Sequence, residues 1–143
     1  MTTKPTVFLS NFASHKTKGH HGPGRVFSIM AKTPHWAPYE GLAVALVPSE
    51  KDLWAAKKGD ISMEEYRRRF MLSMEARSEL LEPHNLIVQS KKKFESFEVR
   101  DGDTLCCTCS RQAAADDQCH RVWVARALLE HGWDVVLDGK RLK

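Results

Sequence analysis

The residues best suited to chemistry in this chain are four cysteines that lie between positions 106 and 119. Positions 106–109 read Cys-Cys-Thr-Cys, and Cys119 is followed directly by His120 and Arg121. Thiol, imidazole and guanidinium groups can together activate a nucleophile, hold a thiophilic metal ion or bind an anion. Such close spacing favours a functional site over a disulfide scaffold.

Thiolate catalysis is one chemistry that these residue types support. A cysteine thiolate would be the nucleophile, an imidazole would move the proton, and a guanidinium group would bind an anionic substrate. The catalytic residues would then be Cys107, Cys119, His120 and Arg121. A redox pair of neighbouring thiols is a further alternative, although the chain has no Cys-x-x-Cys motif.

Metal binding is the other chemistry that the cluster supports, with zinc or iron as the ion. The ligands would be Cys107, Cys109, Cys119 and His120. The Cys-x-Cys spacing departs from the usual zinc knuckle, in which two to four residues separate the cysteines. Free cysteines are also common core residues, and this is our interpretation of Cys106, whose side chain should face away from that of Cys107.

The elements around the cluster predict how these groups meet. Residues 103–109 are predicted to form a buried strand, 118–131 a helix and 133–137 the last strand. This order forms a βαβ unit, whose two strands ordinarily pair in parallel through a right-handed crossover. In such units ligands bind beyond the carboxyl end of a strand and next to a helix N-terminus. The helix dipole should lower the pKa of Cys119 there. We therefore expect the thiols, the imidazole and the guanidinium group to surround one cleft.

The rest of the chain predicts further strands and helices. Strands are predicted at 6–12, 25–31, 41–47 and 94–99, the last as an edge strand. Capping patterns that begin at Ser49 and Ser62 predict helices at 49–59 and 62–81.

These elements predict an α/β fold. We expect one layered domain over residues 1–143, with a mostly parallel sheet flanked by helices and a βαβ unit at its C-terminal end. Residues 140–143 are predicted to be a charged tail, and both ends, 1–4 and 140–143, are expected to be poorly ordered.

Three residues outside the cysteine cluster are candidates for substrate binding. Arg25 ends a loop rich in glycine and histidine, where the backbone could approach a phosphate. His35 and Trp36 follow a predicted strand and could line the same cleft, because an aromatic ring next to basic groups suits stacking on a nucleobase. The alternatives are that Arg25 belongs to a solvated loop and that Trp36 is an aromatic residue at the edge of the core.

Charge and hydropathy restrict the partners. The 22 lysines and arginines exceed the 18 acidic residues, and the net charge of +4 favours anionic partners. This is less than a dedicated nucleic-acid binder usually carries, although nucleic acid stays a possible partner. The N-terminus has no apolar signal-peptide core and no stretch is long enough to span a membrane. We expect a cytoplasmic protein, in the host cytoplasm if a phage encodes it, whose oligomeric state the sequence does not indicate.

Three stretches resemble DUF family 488, a domain of unknown function that includes small YeaO-like bacterial proteins and phage relatives. The first is Pro-Ser-Glu-Lys-Asp-Leu at 48–53 with Lys-Gly-Asp-Ile-Ser at 58–62, the second is Glu-Tyr-Arg-Arg-Arg-Phe at 65–70, and the third is Thr-Leu-Cys-Cys at 104–107 with Cys-His-Arg at 119–121. The resemblance covers roughly residues 41–137.

The resemblance implies an α/β fold and a site at the Cys-His-Arg triplet. Cys107 matches the strand-end cysteine of the family, while Cys109 stands where the family commonly has a glutamate. The resemblance therefore implies that this chain either lacks the carboxylate function at that position or uses a thiol in its place. Because the activity of the family is unsettled, the resemblance implies no reaction.

The sequence therefore predicts an enzyme, a thiolate- or metal-dependent transferase or hydrolase. Its substrate would be a nucleotide or another anionic small molecule, bound in the cleft between the cysteines, His120 and Arg121. The alternative is a non-catalytic module that holds zinc or iron, or binds nucleic acid or a partner protein.

Overall fold

The computed structural model describes residues 4–16, 19–92, 95–109, 113–114, 116 and 118–143. These residues form a mixed eight-stranded sheet with the strand order β5-β4-β3-β2-β6-β1-β7-β8. The strands are β1 (Thr6–Asn11), β2 (Val26–Ser28), β3 (Gly41–Leu42), β4 (Ile87–Ser90), β5 (Ser96–Glu98), β6 (Thr104–Cys107), β7 (Asp134–Leu137) and β8 (Lys140–Arg141).

The centre of the sheet is parallel. Strands β3, β2, β6, β1 and β7 pair in parallel, whereas β3–β4, β4–β5 and β7–β8 are antiparallel pairs toward the two edges. Three helices flank the sheet within the described residues: α1 (Glu50–Lys58), α2 (Met63–Ala76) and α3 (His120–Glu130). The predicted α/β fold with a mostly parallel sheet is confirmed.

Strand β1 lies between the two strands of the C-terminal βαβ unit. In the register, Leu9 is opposite Leu105 of β6 on one side and Leu137 of β7 on the other. The sequence predicted the order strand, helix, strand, but as a directly paired β6 and β7. Val7, Leu9 and Leu105 have no exposed surface, as expected for central parallel strands that are covered on both faces.

The capping patterns predicted where α1 and α2 begin. Ser49 Oγ accepts a hydrogen bond from the backbone N–H of Asp52 at 3.3 Å, and Ser62 Oγ accepts one from Glu65 at 3.0 Å. Gly59 ends α1 with a φ of 82°, in the left-handed region that glycine tolerates best. These helix starts satisfy backbone donors that would otherwise lack a partner.

Several element predictions were wrong in their extent. The strand predicted at 25–31 covers Val26–Ser28. The strand predicted at 41–47 stops at Leu42 and is followed by a 3₁₀ turn, Val44–Leu46, because a short apolar run fits either structure equally well. The helix predicted at 62–81 ends at Ala76, and a separate 3₁₀ turn, Ser78–Leu81, places Leu81 in the core. The strand predicted at 103–109 ends at Cys107, which leaves Cys109 outside the sheet.

The predicted charged tail contains a strand. Asp138 and Gly139 have φ values of 48° and 85° and connect β7 to β8 by a tight turn. Positive φ at both central residues is typical of a type I′ hairpin, for which Asp-Gly is a preferred pair. Arg141 also forms a salt bridge with Asp134 across the hairpin.

Candidate functional site

The cysteine cluster lies where β6 ends and α3 begins. Cys107 is the last residue of β6, Cys119 directly precedes α3, and Cys109 lies in the connection between them. The Sγ atoms of these three residues all lie within 4.8 Å of one another. Cys107 Sγ and Cys119 Sγ are 3.3 Å apart, and all the cysteines are free thiols. The predicted convergence of strand-end and helix-start cysteines is present.

Arg121 connects the thiols to a carboxylate. Its side chain has no exposed surface, and its Nη1 donates hydrogen bonds to Cys107 Sγ at 3.1 Å and to the carbonyl oxygen of Cys109 at 2.7 Å. Its Nη2 donates to Asp138 Oδ2 at 3.0 Å. A buried guanidinium group needs negative partners, and here a carboxylate and a sulfur cluster supply them.

The cluster places its negative charge on Cys109. Hydrogen bonds from the thiols of Cys107 and Cys119, followed by the charges of Arg121 and Lys57, hold the pKa of Cys109 well below its usual range. The pKa of Cys119 is raised, because its hydrogen bonds with Cys107 and Cys109 and its burial favour the protonated thiol. The prediction that the helix N-terminus makes Cys119 the acidic thiol was therefore wrong, since contacts within the cluster outweigh the helix dipole.

His120 lies next to the three cysteines but does not belong to their group. Its Nε2 donates a hydrogen bond to the backbone carbonyl oxygen of Ile29 at 2.8 Å. Burial lowers its pKa, so the imidazole is neutral near pH 7, with its other nitrogen unprotonated. The side chains close enough to share a metal ion are, within the described part of the chain, the three cysteines. The structure does not add His120 to them as the predicted fourth ligand.

A cavity of about 190 Å³ opens next to the cluster. Its lining combines apolar, cationic and acidic side chains from the loop after β2, from α1 and from the β6–α3 connection. The residues are Met30, Ala31, Lys32, Pro48, Glu50, Leu53, Trp54, Lys57, Cys107, Thr108, Cys109 and His120. A small molecule in this cavity would contact Cys109, which is partly exposed, whereas Cys107 and Cys119 have almost no exposed surface.

The three sulfur atoms fit a metal ion. An ion bound to thiolates at about 2.3 Å in a tetrahedral arrangement needs sulfur atoms about 3.8 Å apart. The observed limit of 4.8 Å and the 3.3 Å separation of Cys107 and Cys119 bracket that distance, so small side-chain rotations suffice. Three protein ligands are the number that catalytic zinc sites commonly have, whereas structural sites usually have four.

Cys106 faces the other side of the sheet, as predicted for a core residue. It packs with Phe12 and Ala37, and its Sγ lies 3.7 Å from Nε2 of His21. Burial raises the pKa of this thiol. Because neighbouring strand residues point to opposite faces, Cys106 is separated by the sheet from the cluster around Cys107.

The structure does not bring Arg25, His35 or Trp36 to the cavity. Arg25 lies at the start of β2, at the opposite end of the parallel strands, where it pairs with Asp103 at 3.1 Å. His35 and Trp36 are exposed, and the indole contacts the ring of Phe12 on the face that holds Cys106. The loop after β2 supplies other residues to the cavity, and its course takes the histidine and the tryptophan away from the thiols.

Sequence reasoning missed the contribution of α1. Glu50, Leu53, Trp54 and Lys57 line the cavity with the spacing i, i+3, i+4 and i+7, which is one face of a helix. The spacing was visible, but a face with two charged residues resembles a solvated surface. Asp138 was also missed, because nothing in the sequence links a turn residue to an arginine one helix earlier.

A second cleft, of about 510 Å³, contains none of the predicted site residues. It lies between α2, the turn Val44–Leu46 and β4, and Val44, Leu80 and Ile87 line it.

Within the described residues, no helix has both the length and the apolar character required to cross a bilayer. Comparison of the chain with protein-family models, with curated proteins and with solved structures found no match.

Proposed function

We propose that this chain is a small metal-dependent enzyme, a hydrolase or transferase, that acts on an anionic small molecule. Cys107, Cys109 and Cys119 would hold a zinc or iron ion at the floor of the 190 Å³ cavity. The observation that carries the proposal is the convergence of three thiols within 4.8 Å beside a cavity that a substrate can enter. Thiolates favour zinc and iron over calcium or magnesium, which prefer oxygen ligands.

The position of Arg121 supports a three-thiolate centre. Three thiolates and a divalent cation leave one negative charge, and the guanidinium group, shared between Asp138 and Cys107 Sγ, lowers the cost of burying that charge. The N–H donated by Arg121 to Cys107 Sγ also orients that sulfur, as residues that contact metal ligands commonly do. When bound, the ion would supply a Lewis acid that polarises a substrate oxygen.

The chain's own residues would then bind the substrate and move a proton. Lys32 and Lys57 line the cavity and supply positive charge for an anionic group. The neutral imidazole of His120 also lines it and is fixed by its bond to Ile29, which suits an acid or base. The proposal retains all four residues of the predicted catalytic set, but Cys107 and Cys119 become metal ligands and Arg121 becomes a partner of Cys107 and Asp138.

Metal analysis of protein purified without a histidine tag tests the proposal. We expect about one equivalent of zinc or iron per chain, as one three-thiolate site requires. Replacement of a ligand, in C107S or C109S, should remove nearly all of the metal. The matched control is C106S, which removes an equally buried thiol on the opposite face and should keep the metal.

The C106S control also defines the results that would reject the metal centre. Folded wild-type protein without metal after supplementation, or equal loss in C106S and C109S, would reject it. Because C107S alters a fully buried position, circular dichroism must show that the variant is folded. Cys109 is partly exposed, so C109S keeps the test decisive if C107S does not fold.

A second candidate is metal-free thiolate catalysis, with Cys109 rather than Cys107 or Cys119 as the nucleophile. The specific observation is that Cys109 is the partly exposed member of the cluster and lines the cavity. In metal-free protein, iodoacetamide should modify Cys109 first, as mapped by mass spectrometry. Preferential modification of another cysteine would contradict this assignment.

Membership of DUF family 488 stays a prediction based on the Cys-His-Arg triplet and the two upstream stretches. The proposed site agrees with it in one respect, since Cys107 and residues 119–121 lie together. Nucleic-acid binding and a cytoplasmic location likewise stay predictions.

A further inference from the structure

One face of α1 forms a wall of the cysteine cavity. Leu53 and Trp54 provide its apolar part, and Glu50 and Lys57 lie one turn to either side. Trp54 is 49% exposed, so much of its indole is available for contact. A half-exposed tryptophan beside a cavity provides a flat apolar surface for a planar ligand.

The volume of the cavity limits the size of that ligand. A protein cavity of about 150 Å³ is large enough for benzene. The cavity of about 190 Å³ therefore has room for one six-membered ring with one or two small substituents. A whole nucleotide is larger than this cavity, so only part of one could lie beside the cysteines, which narrows the substrate class expected from the sequence.

The charges of the lining determine what the ring carries. The lining carries two cationic groups, Lys32 and Lys57, and two anionic groups, Glu50 and the Cys109 thiolate, so the position of each charge matters more than their sum. The Nζ of Lys57 lies 5.3 Å from the centre of the Trp54 ring, close enough for a cation–π contact. A ring that contacts Trp54 would thus place a negatively charged substituent near the ammonium group of Lys57.

We infer that the cavity binds a planar, single-ring carboxylic acid, with the ring against Trp54 and the carboxylate on Lys57. The ring would lie between α1 and the cysteines and bring its substituents to the metal ligands. This inference specifies the substrate class of the proposed enzyme. It rests on the proposed function only in treating the bound acid as a substrate. Binding itself requires the cavity and the lysine.

Calorimetric titration of the full chain with three probes tests the inference. Benzoate is the single-ring acid, benzamide is its neutral analogue and 2-naphthoate is a bicyclic acid. We expect benzoate to bind about tenfold more tightly than benzamide, since a hydrogen bond to a charged group contributes about 1.5 kcal/mol. Naphthoate should bind less tightly than benzoate. Equal affinity for benzoate and benzamide, or equal affinity for both acids, would overturn the inference.

Variants of α1 assign the contacts. K57Q should reduce benzoate affinity to that of benzamide, and W54A should weaken both ligands. The matched control is K58Q, because Lys58 is an exposed residue of the same helix that does not line the cavity. If K58Q weakened benzoate as much as K57Q does, the effect would be general electrostatics and the inference would be wrong.

Metal content separates this inference from the proposed function. W54A changes neither the three cysteines nor the charges around them and should bind metal normally. Selective binding of benzoate to protein that holds no metal even after metal supplementation would reject the metal centre and support the ring site. Normal metal content without selective binding would reject the ring site and support the metal centre.

Discussion

At the residue scale, the site depends on Arg121, whose side chain has no exposed surface. Arg121 donates to Cys107, to the Cys109 carbonyl and to Asp138, so it connects β6 to the β7–β8 turn. The sequence predicted its presence at the site but assigned it to a substrate anion. Its actual partners are protein groups. They could not be predicted, because the position of Asp138 depends on the β7–β8 hairpin.

Replacement of this arginine should lower stability. In R121M the guanidinium group is lost, and the 18%-exposed carboxylate of Asp138 and the thiols lose their cationic partner. We expect the free energy of unfolding to fall by about 2–4 kcal/mol, somewhat less than for a fully buried ion pair. Urea unfolding of chelator-treated protein measures the change.

The double variant R121M/D138N serves as the control for that prediction. It removes the carboxylate charge that R121M leaves without its partner, so it should recover part of the lost stability. A loss in R121M of less than about 1 kcal/mol would mean that the ion pair contributes as little as an exposed one.

The residue scale also shows what the sequence could predict. Convergence of Cys107, Cys119 and Arg121 followed from alternation along a strand and from the position of a helix start. The acidity of Cys109 could not be predicted, because it depends on which sulfur accepts hydrogen bonds from the other two. The hydrogen bond from His120 to the Ile29 carbonyl could not be predicted either, because it depends on the course of the loop after β2.

At the element scale, capping signals predicted both ends of α1 and the start of α2 better than the sequence predicted the strand lengths. Ser49, Ser62 and Gly59 act through backbone groups within a few residues, so their effect is readable from the sequence. The run at 41–47 is apolar throughout, and its division into β3 and a 3₁₀ turn depends on neighbouring strands. The cavity-facing side of α1 is similarly defined only by what packs against it.

The end of α1 gives a test of backbone conformation alone. Gly59 has a φ of 82°, and a Cβ added there would have no heavy atom within 4 Å. G59A should therefore cost about 1 kcal/mol in the free energy of unfolding through backbone strain without a steric clash. G59N should cost less, because asparagine adopts the left-handed conformation more readily. Equal stability of the two variants by thermal unfolding would contradict this explanation.

At the scale of the whole molecule, distant parts of the chain form the centre of the sheet. Strand β1, near the N-terminus, pairs with β6 and β7, which follow it by about a hundred residues. The sequence predicted the parallel βαβ unit but not the insertion of β1, because pairing partners are not encoded by local patterns. The geometry of the site depends on this arrangement, because Asp138 follows β7 and the three cysteines lie at or after the end of β6.

This arrangement predicts a gradient of protection from hydrogen exchange across the sheet. Amides of β1 and β6 lie between paired strands and are covered on both faces, so they should open only with global unfolding. Amides of β5 lie at an edge, where Ser96 is exposed and Phe97 is half-buried, and local opening suffices there. We expect exchange at Leu9 and Leu105 to be at least about a hundredfold slower than at Phe97, as measured by nuclear magnetic resonance. Faster exchange in β1 than in β5 would show that the N-terminal strand detaches on its own, and then the cysteine site could not depend on the sheet's centre for its geometry.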